Sequence, residues 1–129
     1  MSTLADWLSF VVTTLQTWPV CRVVRVLETH QFSNRQFALK VRAELTMSDT
    51  LQVRLYCNGE HTDYAYQLVH GDQSIRWDNK EHFPSLPSYP HHFHNASGKV
   101  EASPLSGDLS YDLPIVLNYL TTFFDRDKG

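Results

Sequence analysis

The stretch RWDNKEHFPSLPSYPHHFH, Arg76 to His94, holds four of the chain's seven histidines: His82, His91, His92 and His94. Imidazole has an ordinary pKa of about 6.5, so it exchanges protons near neutral pH. Set beside Arg76 and nearby tyrosines, such a cluster suits metal-free phosphodiester cleavage. One histidine takes the proton of a 2′-hydroxyl, another protonates the leaving oxygen, and an arginine or lysine stabilises the charged phosphorane.

Metal binding is the competing use of the same residues. On an extended backbone His92 and His94 project to one side and His91 to the other, so at most two of that triplet converge. A His-x-His pair supplies two zinc ligands, with His82 or Asp78 the nearest third. HExxH and CxxC patterns are missing, which makes metal the weaker alternative, and no cofactor is expected. A plain structural role, imidazoles of a Pro-rich loop bonding to backbone carbonyls, accounts for one histidine better than for four in thirteen residues.

The elements that must position these groups can be read from hydrophobic spacing. Leu4, Trp7, Leu8, Val11, Val12 and Leu15 recur at helical intervals, Thr3 with Asp6 resembles a capping box, and Pro19 follows. An amphipathic helix over residues 3–17 is expected. From Val20 the period drops to two: Phe37, Leu39, Val41, Ala43 and Leu45 alternate with polar residues, as do Leu51, Val53, Leu55 and Cys57. With Ser48-Asp49 between them these runs form a hairpin. A run from Cys21 to His30, one around Tyr64 to His70 and one from Gln73 to Asp78 after the Gly71-Asp72 turn bring the total to about five strands. Short connections make an antiparallel meander the simplest order. Residues 80–98, with Pro84, Pro87 and Pro90, read as a long loop over a surface. Asp112 can cap a second helix with Pro114 in its first turn and Val116, Leu117, Leu120, Phe123 and Phe124 as its apolar stripe, and the RDKG tail should fray.

Strand parity sorts the remaining candidates. If Leu39, Val41, Val53 and Leu55 face the helices, then Lys40, Arg42, Gln52, Arg54 and Tyr56 share the other face, and Arg76 joins them. Residues 20–58 carry six of the chain's eleven Lys and Arg residues against three acidic ones, so a local cationic face forms despite a net charge of −3. An ordinary solvated face is the bland equivalent. Tyr64 and Tyr66 share one side of their strand and either stack on bases or belong to the core. Trp77 is most simply a core anchor.

At 129 residues and 42% hydrophobic content the chain is expected to form one domain spanning 1–129. The net charge excludes a histone-like, globally basic nucleic-acid binder. Cys21 and Cys57 are far apart and fit no redox or metal spacing, consistent with reduced thiols in the cytoplasm. The N-terminus lacks a basic leader, and no apolar run approaches the roughly 18 residues of a membrane span.

The succession YAYQ (64–67), GDQSIRWDN (71–79), His82 and YPHHFH (89–94) resembles the TumE-type toxin family of bacterial toxin–antitoxin pairs. The resemblance rests on Tyr64, Tyr66, Arg76, Asp78, Asn79, His82, Pro90, His91, His92 and His94. Phe83 departs from it, standing where the family commonly has a second histidine, and Tyr89 stands for a phenylalanine. The resemblance implies a small cytoplasmic toxin neutralised by a cognate DNA-binding antitoxin. It does not supply the reaction, which is inferred from the residues.

The expectation is therefore an α+β domain: an N-terminal helix, a five-strand antiparallel meander, a His/Pro-rich loop and a C-terminal helix. Function would be that of a toxin acting on RNA as a metal-independent endoribonuclease. His82, His92, His94 and Arg76 are its catalytic candidates; Arg42, Arg54, Tyr64, Tyr66, Asp78 and His91 would hold substrate. The alternatives are a non-catalytic binding module and a metal-dependent hydrolase or nucleotidyltransferase using the histidines. The choice between monomer and homodimer stays open.

Overall fold

A computed structural model describes residues 3–127. The first helix, α1 (Leu4–Gln16), begins at the expected place because Thr3 and Asp6 cap each other. Thr3 Oγ1 accepts from the Asp6 N–H at 3.1 Å, and the Asp6 carboxylate accepts from the Thr3 N–H at 3.3 Å. Its buried stripe is Trp7, Val11 and Leu15.

The strands are β1 (Cys21–Ser33), β2 (Gln36–Leu45), β3 (Thr50–Asn58), β4 (His61–His70), β5 (Gln73–Asp78), β6 (His92–His94) and β7 (Val100–Ala102), and α2 (Leu109–Asp127) closes the chain. All seven lie in chain order in one antiparallel sheet, so the meander holds but is longer than the five strands expected. The two additional strands have three residues each. Three residues are too few to show a period of two, and the prolines before β6 mask its start. The expected loop over 80–98 thus contains a strand, and only residues 79–91 lack regular structure before β6.

Both helices cover one face. Trp7 of α1 meets Phe37 edge-on at 5.3 Å, and Tyr119 of α2 meets Trp77 and Phe93 at 5.3 and 5.1 Å. Phe37, Trp77 and Phe93 have the same parity in the register. Trp18 just after α1 donates its Nε1–H to Thr121 Oγ1 of α2 at 2.9 Å. Among the described residues no helix lies on the opposite face.

The start of α2 differs from expectation. It begins at Leu109, and Asp108 accepts from the Ser110 N–H and hydroxyl at 3.0 and 2.8 Å, as an N-cap does. Asp112 lies inside the helix, fully buried, and its carboxylate accepts from the N–H groups of Ser106 and Gly107 and from the Ser106 hydroxyl. The capping residue, four positions upstream, was hidden because Asp108 and Asp112 are chemically alike. Lys128 and Gly129 of the tail expected to fray lie outside the described residues.

Candidate functional site

The antiparallel register lays two polar rows across the uncovered face. One runs Lys40, Arg54, Ala65, Asp78, His92 through β2, β3, β4, β5 and β6. The next runs Arg42, Gln52, Gln67, Arg76, His94 through the same strands. The sheet thereby brings Arg42, Arg54, Arg76, Asp78, His92 and His94 to one face. They are residues up to 52 positions apart, sorted by a period of two alone.

At the β5–β6 end the rows converge on a compact cluster. Asp78 is buried, and its Oδ2 accepts from Arg76 Nε at 2.7 Å. Its Oδ1 faces His92 Nε2 at 2.9 Å and also accepts from the Lys80 N–H at 3.0 Å. Burial pushes the Asp78 carboxyl up. The bonds from Arg76 and Lys80, with the charges of His92 and Arg76, outweigh it and hold the group below the usual carboxylate range. The other nitrogen of His92, Nδ1, faces the Pro90 carbonyl at 3.2 Å. Both ring nitrogens thus face oxygen atoms, which fixes the orientation of the ring. Arg76 is held a second time, donating from Nη1 to Gln67 Oε1 at 2.9 Å.

His94 is different. Its ring lies 4.9 Å from that of His92, and it makes no side-chain hydrogen bond to the described residues. Burial lowers its pKa, and the positive charges of His92 and Arg76 add to this against the opposing pull of Asp78. A neutral, unengaged imidazole therefore sits beside a fixed guanidinium. Phe83, from the segment between β5 and β6, packs edge-on against His92 at 4.8 Å and against His94 at 6.0 Å. It forms an apolar wall over the cluster.

Not every candidate reaches this place. His82 is exposed on the segment leading to Phe83, its ring 6.3 Å from that residue's. His91 has the opposite parity to His92 and turns to the helix-covered side, where Nδ1 meets the Tyr64 hydroxyl at 2.8 Å and the rings stack. Burial lowers its pKa, opposed by Asp112. Tyr64 and Tyr66 are 4% and 0% exposed on that same side, so neither ring is offered to a base. Burial and the nearby carboxylate of Asp112 push both phenols far above their ordinary range. Aromatic residues one strand period apart face whichever side the register dictates, and here Tyr66 pairs across to Val53 and Trp77 in the core.

Tyr56 reaches the open face as strand parity predicts, whereas Lys80 and Gln67 carried too little signal in the sequence. Tyr56 stands on the open face, its hydroxyl accepting from Gln36 Nε2 at 2.6 Å. Lys80 lies exposed at the end of β5, and Gln67 anchors Arg76. Cross-strand partners such as Gln67 become visible only with the register.

The carboxylate Oδ atoms of Asp78 and the ring nitrogens of His92 and His94 also include one ligand atom each within 4.8 Å of one another, enough for a divalent ion. Against that, every oxygen of Asp78 already accepts from a donor, and one donor is a guanidinium whose charge would oppose an added cation.

A helix-backed antiparallel sheet with an Arg/Asp/His/His cluster on its bare face defines a small α+β protein with a polar, charge-lined site. The chain belongs to the TumE toxin family: the family model described as "Toxin TumE" matches residues 13–124, from within α1 to the last turns of α2. Membership makes it a toxin of the toxin–antitoxin kind, with an antitoxin partner as the general expectation. No curated protein matches the chain, and no solved structure does. Among the described residues no helix is long and apolar enough to cross a membrane.

Proposed function

We propose that this toxin acts in the cytoplasm as a metal-independent endoribonuclease, and that a DNA-binding antitoxin neutralises it. The observation that carries the proposal is the pairing of a neutral, unengaged His94 with a doubly anchored Arg76 on a face lined by Arg54, Arg42 and Lys40. His94 takes the proton of the 2′-hydroxyl, whose oxygen attacks phosphorus. Arg76 stabilises the charge on the phosphorane, and the P–O5′ bond breaks. The leaving 5′ oxygen takes its proton from solvent at this open face, which leaves a 2′,3′-cyclic phosphate and a 5′-hydroxyl; His82, exposed and outside the cluster, is not placed to supply it. His92, 1% exposed, is too deep to meet RNA. Its role is positioning: it holds Asp78, which holds Arg76.

The test is incubation of purified protein with RNA in EDTA. Cleavage leaving cyclic phosphate ends, lost in His94→Ala protein whose circular dichroism is unchanged, supports the proposal. Absence of cleavage, or undiminished cleavage by His94→Ala, overturns it. The closeness of the Asp78, His92 and His94 ligand atoms favours one second reading, metal-assisted hydrolysis, and a strict requirement for a divalent ion would select it.

A further inference from the structure

We infer that the bare face has a second subsite, separate from the cleavage centre, in which Tyr56, Arg54 and Lys80 hold the nucleotide adjoining the scissile one in single-stranded RNA. This rests on the RNA proposal above.

Arg76 is shared by two depressions. On one side, a cavity of about 550 Å³ is lined by Arg76, His94, Gln73, Asn95 and Ser97. On the other, a cavity of about 220 Å³ is lined by Arg76, Arg54, Lys80, Tyr56 and Asp63, with Ala65 among them. Ala65 occupies the row position between Arg54 and Asp78, and its single methyl leaves the space that a larger side chain would fill. Arg76, bound to both Asp78 and Gln67, is a fixed partition between the two.

The spacing fits a polymer and not a lone phosphate. Arg54 lies two strands from Arg76 and three from His94. At about 4.8 Å per strand, and with the offset of one row along the strands, about 6.7 Å, those backbone separations are roughly 12 and 16 Å. A phosphate held by Arg76 beside His94 therefore leaves the next nucleotide over Ala65, where Arg54 and Lys80 meet its phosphate and Tyr56 its base. The hydrogen bond from Gln36 fixes the Tyr56 ring in advance, the condition for a stacking platform. Asp63 at the far end is paired with His61 at 2.8 Å, so its charge marks where the cationic track stops. An aromatic plane flanked by cations takes any unpaired base, whereas a base locked in a duplex offers only its edge. The Phe83 wall also crowds a rigid double helix.

The experiment uses the full chain carrying His94→Ala, so that RNA is bound without being cut. Anisotropy of a labelled single-stranded RNA gives the affinity of this parent and of proteins that also carry Tyr56→Ala, Tyr56→Phe, Arg54→Glu or Lys80→Glu. Loss of one stacked base predicts about tenfold weaker binding for Tyr56→Ala and a smaller loss for Tyr56→Phe, which keeps the ring. Arg54 and Lys80 are exposed, so their charge reversals leave the fold alone and should weaken binding about tenfold or more and flatten its salt dependence. A fully paired duplex of the same sequence should bind more weakly than the single strand. Unchanged affinity in both charge reversals, or equal affinity for duplex and single strand, overturns the subsite. Cleavage is scored separately with His94 intact: RNA that is bound through Tyr56 but never cut refutes the nuclease and leaves the subsite standing.

Discussion

Asp78→Ala is the most informative single change, because one buried carboxylate holds a guanidinium, an imidazole and a backbone N–H. It removes the partner of Arg76 Nε at 2.7 Å, of His92 Nε2 at 2.9 Å and of the Lys80 N–H at 3.0 Å. The side chains of Asp78 and His92 are 4% and 2% exposed, so water cannot take over the lost contact with the ring. Removing one partner from a buried ion pair costs about 3–5 kcal/mol. Because Arg76 keeps some access to water and retains Gln67, the lower end, about 3 kcal/mol, is expected. That is a large share of the roughly 5–15 kcal/mol that ordinarily holds a domain folded. Urea denaturation measures it as a lower midpoint with an unchanged slope. The pH dependence gives a second, independent check. The folded carboxyl titrates below its unfolded value of about 3.9. Its contribution is therefore complete above that value and is lost as pH falls through the folded pKa. Wild type and variant should differ by the full amount at pH 7, and the part of the difference that depends on the ionised carboxylate should fall away as pH drops below about 4. A difference under about 1 kcal/mol at pH 7, or one that does not shrink on acidification, would refute the claim that this carboxylate organises the cluster.

Other outcomes follow from single groups. Burial and the neighbouring cations depress the pKa of His94, so if it is the base, kcat/KM should rise with pH through a midpoint below the ordinary imidazole value of about 6.5. A midpoint above that value would remove His94 from the role. Tyr66→Phe deletes a buried hydroxyl that has no hydrogen-bond partner among the described residues, so stability to urea should hold or rise by up to about 1 kcal/mol. Thr3→Ala breaks the capping box of α1 and should cost about 1 kcal/mol, read from the same denaturation curve.

How much of this was legible beforehand varied with the range of the interaction. Both helices, the long strands and the turn at Gly71-Asp72 follow from local spacing and turn chemistry. So does the separation of His91 from His92 and His94, because alternation is a property of a single extended chain. The α2 cap was misplaced by one turn, since the local pattern could not choose between two aspartates. The short strands β6 and β7 lie below the length at which a period shows.

By itself, the amino-acid sequence determined the class of fold, the family and the set of residues able to do chemistry. Which of those residues meet was decided only by the tertiary structure. Pairing β5 with β6 places Asp78 opposite His92 and Arg76 opposite His94, while the same register sends Tyr64 and Tyr66 into the core. Covering one face with both helices then fixes which side is left to water. The physical reason is that parity is local, but the direction in which a face points depends on what packs against the other side.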